Sequence, residues 1–333
     1  MLRAAVLRPI SRPFVILSKS HQGIENLNSL RISIVQYLNT APLVRGFTHG
    51  PLRGKYQLSF TVPSQCAEAL RANAADIAII PAIEYQRISD LVILPNLSIS
   101  SKRAVRSLLL VSKKPVREVT RIALDRSSRS TQALTRILCR KWWGIEPEFL
   151  EADPELPSML QSADAALLIG DPALRLAFAA DATTQRDHSG VASCSGGVAG
   201  CTDQPLCFLY DIVTEWRALT SLPAVLAVWA TKRSVATPEV VQDFQDSLAF
   251  GMRHLDQISI EAAKEMSLPA PDLRRYLAEN IDYGLDEENH KGLRLYYNLA
   301  AELGLIPGVA GMAMAATISP AEAPSELAVA RRR

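Results

Sequence analysis

Long hydrophobic runs are missing from this sequence, and so is any large excess of one charge. No run of 18 uninterrupted apolar residues occurs, so the sequence predicts no membrane-spanning helix. Lys and Arg number 36 and Asp and Glu number 34, a balance that disfavours a nucleic-acid backbone as the main ligand. With 48% hydrophobic and 21% charged residues, wholesale disorder is excluded. The 333 residues suit two lobes of about 100–150 residues each.

Cysteine is also scarce, and the five present are an odd number, which argues against a secreted disulfide framework. Cys66 and Cys139 fall in helix-like segments and are predicted to be buried thiols. The other three, near His188, are Cys194, Cys201 and Cys207. Their C-x6-C-x5-C spacing lacks the C-x2-C pair typical of zinc sites, so the sequence predicts no metal.

Motifs for nucleotide, metal and serine chemistry are absent as well. The sequence has no G-x-G-x-x-G after its first strand, no P-loop, no H-E-x-x-H and no G-x-S-x-G. The five histidines are scattered, and none follows a predicted strand. We therefore expect no cofactor, and covalent Ser–His catalysis is disfavoured.

The first thirty residues decide the expected compartment. The segment MLRAAVLRPISRPFVILSKS is basic, but Pro9 and Pro13 interrupt its apolar stretches and no A-x-A cleavage site follows. Residues 1–30 are predicted to be a disordered extension or the product of an upstream start codon. The protein is expected to be cytoplasmic.

Strand-like and helix-like segments alternate from residue 31 onward. Apolar runs such as DIAII (76–80), SLLLVS (107–112) and AALLI (165–169) are typical of buried strands. Such alternation predicts an α/β fold with mostly parallel sheets covered by helices.

The pattern restarts once, which predicts two lobes joined by a hinge. We expect lobe one to comprise 31–112 and 223–306, and lobe two to comprise 113–222. A Gly-, Ser- and Thr-rich stretch, 181–205, is predicted to be a mobile insertion, and 307–333 a disordered tail. Ligands of open α/β sheets bind beyond the carboxyl ends of strands, so the interlobe cleft is the expected site.

Small polar residues occupy the predicted strand ends and helix starts. Helix N-termini with hydroxyl side chains attract anions, because their N–H groups are unpaired and the helix dipole is positive there. The implied ligand is therefore small and anionic, with a dicarboxylate as one candidate. The structural alternatives are helix capping for Ser64, Ser127 and Asp171, surface charge for Arg106 and Arg129, and a left-handed turn for Asn39.

Seven segments resemble the chorismate dehydratase family of the futalosine route to menaquinone. They are RISIVQYLNTAPLV (31–44), VPSQCAEALRANAADIAIIPAIEY (62–85), VRSLLLVSKKP (105–115), IALDRSSRSTQALTRIL (122–138), ADAALLIGDPAL (163–174), YDIVTEWRALTSLPAVLAVWA (210–230) and YYNLAAELGLI (296–306). The segments follow the expected order over 31–306, so the resemblance is specific.

This resemblance implies the two-lobed fold of type II periplasmic-binding proteins. It also implies a cofactor-independent hydro-lyase reaction, in which chorismate loses water to give 3-[(1-carboxyvinyl)oxy]benzoate. No metal, nucleic acid or membrane is implied as a partner, and a homodimer is left open.

Within the family interpretation, Asn39 is the candidate catalytic residue, placed at the edge of the ring that reacts. The enolpyruvyl carboxylate of the substrate is the alternative base. The candidate substrate-binding residues are Tyr37, Ser64, Ser100, Arg106, Ser107, Ser127, Ser128, Arg129, Ser130, Gly170 and Asp171.

Two other functions were weighed against this one. The enzyme 1,4-dihydroxy-6-naphthoate synthase belongs to the same pathway and fold, but its first turn should resemble S-P-C-P-N-D-T. This chain has Y-L-N-T-A-P-L at 37–43, which disfavours that enzyme. A solute receptor that binds a small anion without chemistry is disfavoured because no convincing export signal is present.

Overall fold

The computed structural model describes residues 29–184 and 207–317, which form two lobes, each built on a five-stranded sheet. Nearly all of the predicted extension, the insertion from 185 to 205 and the end of the predicted tail lie outside these described residues. None of the described helices is long and apolar enough to cross a membrane. No group of three His, Cys, Asp or Glu within the described ranges could hold a metal ion.

Within residues 29–184 and 207–317, ten strands make up the two sheets. They are β1 (Arg31–Val35), β2 (Gln57–Thr61), β3 (Ile77–Pro81), β4 (Leu91–Ser101), β5 (Leu108–Ser112), β6 (Arg121–Asp125), β7 (Glu148–Ala152), β8 (Ala165–Ile169), β9 (Phe208–Asp211) and β10 (Ala224–Lys232). Sheet one has the order β2-β1-β3-β10-β4, and sheet two has the order β7-β6-β8-β5-β9.

Both sheets are mixed, whereas the sequence predicted mostly parallel ones. In sheet one, β1 is parallel to β2 and β3, and β10 is antiparallel to β3 and β4. In sheet two, β6 is parallel to β7 and β8, and β5 is antiparallel to β8 and β9. The antiparallel strands β5 and β10 are those that follow the crossings between lobes. The chain enters each of these strands from the other lobe and not through a helical crossover within the same sheet. The alternation of strands and helices along the sequence therefore does not predict whether β5 and β10 run parallel or antiparallel to their neighbours.

Ten α-helices cover the sheets in the described part of the chain. They are α1 (Ala41–His49), α2 (Pro63–Arg71), α3 (Arg129–Leu138), α4 (Leu156–Ser162), α5 (Gly170–Thr184), α6 (Ile212–Thr220), α7 (Pro238–Arg253), α8 (Leu255–Met266), α9 (Ala270–Arg275) and α10 (Glu287–Glu302). Sequence patterns did not indicate β9, α6 or the helical state of α5. Proline suits the first turn of a helix, so Gly170-Asp171-Pro172 opens α5 as well as ending β8.

The predicted boundary between the lobes is wrong by one strand. The run at 108–112 was assigned to lobe one, but β5 pairs with β8 and β9 and belongs to sheet two. The first crossing therefore lies at 102–107, and the return crossing at 221–223 agrees with the prediction. Because an apolar run shows only that a strand is buried, it cannot show which sheet buries it.

The predicted tail is ordered over the part that the structure describes. The amide of Ile93 in β4 donates to the Ala313 carbonyl at 2.8 Å, and the amide of Ala315 donates back to Ile93 at 2.9 Å. This segment pairs with the open edge of β4 and covers its unpaired backbone groups.

The two cysteines predicted to be buried are confirmed as free, buried thiols. Desolvation raises the pKa of both Cys66 and Cys139 to about 12. Of the proposed Cys cluster, Cys207 is buried, and Cys194 and Cys201 lie outside the described residues.

Candidate active site

A small cavity lies between the two sheets. Its lining residues are Val35, Tyr37, Asn39, Pro63, Pro81, Ile99, Leu108, Ser128, Ser130, Thr131, Ile169, Gly170, Leu226 and Ala227. They come from the strand ends of both lobes, from the turn after β1 and from the start of α3.

The cavity wall is mostly apolar, with a few hydroxyl and amide groups. Among the described lining residues, none carries a charged side chain. A bound anion would therefore meet hydroxyls, an amide and the N-terminal end of α3, rather than a lysine or an arginine.

The turn after β1 carries Tyr37 and Asn39 into the cavity wall. Leu38–Thr40 is a single 3₁₀ turn, and Asn39 is 9% exposed at its centre. The Thr40 hydroxyl donates to Asn39 Oδ1 at 3.4 Å. Asn39 has no positive φ angle, so the alternative that it merely holds a left-handed turn is wrong.

Gly170 and Asp171, at the start of α5, join lobe two to this turn. The amide of Leu38 donates to Asp171 Oδ1 at 3.0 Å, and Asp171 is 2% exposed. Asp171 therefore binds the turn of the other lobe. Gly170 has a φ of +65°, and a Cβ atom there would lie 2.8 Å from three carbons of the Tyr37 ring.

The start of α3 forms the polar wall on the side of lobe two. The Ser128 hydroxyl donates to Thr131 Oγ1 at 2.7 Å, and the Ile83 amide of lobe one donates to Ser130 Oγ at 3.2 Å. Ser128 is the residue before the helix, but its side chain makes no capping hydrogen bond. The hydroxyls of this stretch are thus engaged with one another and with lobe one.

Ser127 lies just behind that wall and is anchored to Asp125. Both its amide and its hydroxyl donate to Asp125 Oδ1, at 2.9 and 2.6 Å. Burial raises the pKa of the Asp125 carboxyl. The Tyr37 hydroxyl lies 3.5 Å from Ser127 Oγ, which adds a contact between the lobes.

Capping of α2 was the structural alternative for Ser64, and this alternative is wrong. The helix begins at Pro63, so Ser64 occupies its second position and Val62 is the residue before it. The Ser64 amide donates to the Ser127 carbonyl of lobe two at 3.1 Å. The two helix starts therefore meet across the cleft, and Pro63, rather than Ser64, lines the cavity.

Ser100 and Ser107 lie behind the wall and are not among the described lining residues. Ser100 is fully buried in β4, and its hydroxyl donates to the Asp282 carbonyl at 3.0 Å. Ser107 accepts a hydrogen bond from the Tyr276 hydroxyl at 2.9 Å, and its carbonyl accepts from the Gly170 amide at 2.8 Å.

Arg106 also lies apart from the cavity. Its guanidinium forms an ion pair with Asp181 and packs over the Phe178 ring, 4.4 Å from the ring centre. Its φ angle of +64° belongs to the crossing between the lobes, where its amide donates to Asp211 at 2.6 Å.

Arg129 forms ion pairs between the lobes. It contacts Glu68 at 2.7 Å and Glu84 at 3.1 Å, both in lobe one. The Glu84 side chain is 1% exposed and also pairs with Arg71 and Arg87. These ion pairs hold the first turn of α3 against lobe one.

Two polar residues at or behind the cavity wall were not predicted from the sequence, and neither were the aliphatic lining residues. Thr131 lies three positions after Ser128 on α3, and that helical spacing was a signal that could have indicated it. Tyr276 lies about 170 residues from its partner Ser107, and no local pattern indicates such a pair.

The chain is similar in sequence or in structure to several known proteins. The chain is 26% identical to the chorismate dehydratase of Thermus thermophilus over 277 residues, which cover 82% of this chain and 95% of that protein. Protein AF1704 from Archaeoglobus fulgidus has a similar structure, with a TM-score of 0.62, 18% identity, and coverage of 85% of this chain and 100% of that one. The periplasmic aliphatic sulphonate binding protein SsuA from Escherichia coli superposes with a TM-score of 0.54 and 17% identity, covering 87% of this chain and 96% of SsuA.

The structural matches confirm the predicted two-lobed fold of periplasmic-binding proteins. A family described as menaquinone biosynthesis matches residues 30–302, which span both lobes and every residue of the cavity wall. This chain therefore belongs to the menaquinone biosynthesis family.

Proposed function

We propose that this protein is a chorismate dehydratase, which converts chorismate to 3-[(1-carboxyvinyl)oxy]benzoate and water as the first step of the futalosine route to menaquinone. The observation that carries the proposal is the similarity to the Thermus thermophilus enzyme over 95% of that enzyme's length. A cytoplasmic location and independence from cofactors accompany the proposal, and both stay predictions.

The reaction is a 1,2-elimination whose driving force lies in the substrate. The C3–H bond breaks and its electron pair forms the new ring double bond, while the C4–O bond breaks and the hydroxyl leaves as water after gaining a proton. Because the ring becomes aromatic, the enzyme needs mainly to orient the substrate and assist one proton transfer.

The cavity offers mostly apolar walls to such a substrate. Apolar residues from both sheets, such as Ile99, Ile169 and Leu226, offer surfaces for the ring. Contacts between the lobes enclose the cavity, including the Leu38–Asp171 and Ser64–Ser127 hydrogen bonds. A closed site excludes bulk water from the reacting carbons.

The substrate carboxylates are assigned to the start of α3. Ser128, Ser130 and Thr131 line the cavity there, and α3 is ten residues long, so its dipole places positive potential at this wall. Arg129 is then a residue that holds α3 in place rather than a direct ligand, because its guanidinium is engaged with Glu68 and Glu84.

Asn39 is assigned to the reacting edge of the ring. It is the lining residue whose amide can both donate and accept a hydrogen bond. No carboxylate belongs to the described lining, since Asp125 and Asp171 lie behind it. The proton acceptor is therefore either the Asn39 carbonyl oxygen or the enolpyruvyl carboxylate of the substrate itself.

The direct test is incubation of the purified protein with chorismate, followed by diene absorbance and product mass. We expect loss of the diene absorbance and a product lighter by one water. Chorismate without protein is the control for its spontaneous decay. Tight binding of chorismate without turnover would instead identify a binding protein and overturn the proposal.

Loss of the Arg129 ion pairs should weaken substrate binding more than turnover. In Arg129→Gln we expect KM to rise about threefold to tenfold with a smaller change in kcat, because the contact between lobes favours the closed state. The free energy of unfolding should change by about 1 kcal/mol or less, since Glu84 keeps Arg71 and Arg87.

Arg126→Gln is the matched control for that variant. Arg126 is an exposed arginine just before α3, and its ion pair with Asp153 stays within lobe two. Steady-state kinetics on both variants compare the two ion pairs directly. Equal KM values for Arg129→Gln and Arg126→Gln would show that the interlobe pair does not contribute to binding.

A further inference from the structure

Asp171 is a buried carboxylate that binds the turn carrying Asn39 from the opposite lobe. It stands at the second position of α5, and only 2% of its surface is exposed. Its Oδ1 atom accepts a hydrogen bond from the Leu38 amide at 3.0 Å. Asp171 is not among the described lining residues, so any effect on the reaction must pass through the turn that it binds.

The Leu38 amide is the first N–H group of a continuous helical stretch. The 3₁₀ turn Leu38–Thr40 leads directly into α1. The first N–H groups of a helix have no acceptor within it, and the side chain of the preceding residue commonly supplies one. Tyr37 holds that position with an extended backbone, and its side chain makes no capping hydrogen bond. Asp171 therefore caps this stretch from lobe two.

The segment that carries Asp171 is itself held in place at the crossing between the lobes. The Gly170 amide donates to the carbonyl of Ser107, a buried residue, at 2.8 Å. Gly170 also packs against Tyr37, since a Cβ atom there would lie 2.8 Å from the ring. Two consecutive residues of α5 thus contact two consecutive residues of lobe one, Tyr37 and Leu38. Lobe two therefore sets the position of the turn.

Asn39 follows Leu38 directly in the chain. Because the peptide unit between them is planar and of fixed length, a shift of the Leu38 amide also moves the Asn39 backbone. Asn39 lines the cavity and is the residue assigned to the reacting edge of the ring. A displacement of about 1 Å at such a group can cost about 10²-fold in rate. A hydrogen bond behind the cavity wall can therefore control the placement of the amide within it.

We infer that Asp171 is a positioning residue, which caps the turn after β1 from the opposite lobe and so places the Asn39 amide for the reaction when the two lobes meet. This inference rests on the proposed function, because it concerns the role of Asn39 in the same dehydration. It also replaces the direct substrate contact expected of Asp171 from the sequence.

The decisive variant is Asp171→Ala, which removes the acceptor of the Leu38 amide. We expect kcat to fall about tenfold to a hundredfold and KM to rise by at most about fivefold, because a displaced amide harms the transition state more than substrate binding. Asp171→Asn keeps an acceptor oxygen in the same place, so its kcat should stay within about fivefold of the wild-type value. A residue that transfers a proton would lose as much activity in Asp171→Asn as in Asp171→Ala.

A double-mutant cycle with Asn39→Ala tests whether Asp171 acts through Asn39. Once the amide is gone its placement no longer matters, so Asp171→Ala should lower kcat by less than about threefold in the Asn39→Ala background. Independent effects would multiply, and the double variant would then show the product of the two single losses. Single-turnover kinetics at saturating chorismate measures all four proteins.

Asp164→Ala is the matched control. The Asp164 carboxylate accepts the backbone amides of Thr120 and Arg121 at 2.9 and 3.1 Å, all within lobe two and outside the described cavity lining. Thermal denaturation should show a loss of stability in both Asp→Ala variants, with kcat reduced only in Asp171→Ala. Calorimetric titration with 3-[(1-carboxyvinyl)oxy]benzoate counts competent sites, so each kcat is expressed per folded site.

Three outcomes would overturn the inference: a wild-type kcat per site in Asp171→Ala, equal losses of kcat in Asp171→Ala and Asp164→Ala, or an undiminished effect of Asp171→Ala in the Asn39→Ala background. An Asp171→Asn variant as inactive as Asp171→Ala would also overturn it and assign Asp171 to proton transfer.

If Asp171→Ala does not fold, Asp171→Glu takes its place in the cycle, because its longer side chain displaces the acceptor. The same reduction of its effect in the Asn39→Ala background is then expected, and multiplication of the two losses would contradict the inference. Failure of the proposed function is distinguishable, because the wild-type protein itself would then not dehydrate chorismate.

Discussion

Replacing Asn39 with alanine should abolish most of the turnover and leave binding nearly intact. We expect kcat to fall about 10²–10³-fold, the usual cost of removing one preorganised hydrogen-bonding group from a transition state. The dissociation constant of the product should change by less than about fivefold, because the apolar walls and the start of α3 remain in place. Single-turnover kinetics and calorimetric titration measure the two quantities separately.

The control for this variant is Asn298→Ala, which removes an exposed asparagine from α10. It should match the wild-type protein in both measurements. Equal losses of binding and turnover in Asn39→Ala would mean that Asn39 only positions the substrate. Unchanged turnover would remove Asn39 from the mechanism and leave the substrate carboxylate as the sole candidate base.

Replacing Gly170 with alanine should lower the activity by straining the backbone and displacing the Tyr37 ring. Alanine at a φ of +65° costs about 1–2 kcal/mol from backbone strain alone. The added Cβ would also lie 2.8 Å from the Tyr37 ring, so the ring must move. Because Tyr37 is part of the cavity wall, we expect kcat/KM to fall about a hundredfold.

The Gly144→Ala variant separates the effect of backbone strain from the effect of the contact between the added Cβ and the Tyr37 ring. Gly144 has a similar φ of +70°, but nothing lies within 4 Å of the position of its added Cβ. In this control variant, backbone strain should lower the free energy of unfolding by about 1–2 kcal/mol, and the activity should stay at the wild-type level. If Gly170→Ala were as active as Gly144→Ala, the packing of Tyr37 on Gly170 would not be part of the active arrangement.

The variants are informative together because they act on different parts of one enclosure. In the proposed mechanism Asn39 faces the reacting atoms, whereas Gly170 lines the cavity wall and Arg129 forms ion pairs between the lobes. We therefore expect three distinct kinetic results. Asn39→Ala should lower kcat alone, Gly170→Ala should lower kcat/KM, and Arg129→Gln should raise KM.

The sequence predicted the turn after β1 and the start of α3 as parts of the site, and both lie on the cavity wall. These positions could be found because ligands of α/β sheets bind beyond the carboxyl ends of strands and at helix starts. Arg106 and Arg129 were expected near the substrate because their charge suits an anion. The structure instead pairs each with a carboxylate, Asp181 for Arg106 and Glu84 for Arg129.

The residue with which a polar side chain pairs is often distant in sequence. Glu84 lies 45 positions before Arg129, and Ser107 lies 169 positions before Tyr276. A local pattern records the type of a side chain and its place on an element, but it does not record which element packs against it.

The sequence by itself determined the α/β class, the order of most elements, the two lobes and the turn that carries Asn39, because hydrophobic periodicity and turn residues act locally. Only the tertiary structure decided the mixed direction of the strands, the sheet to which β5 belongs, the pairing of the arginines and the hydrogen bond between Tyr276 and Ser107. Each of these depends on which surfaces meet when the lobes close, and that is set by packing over the whole chain.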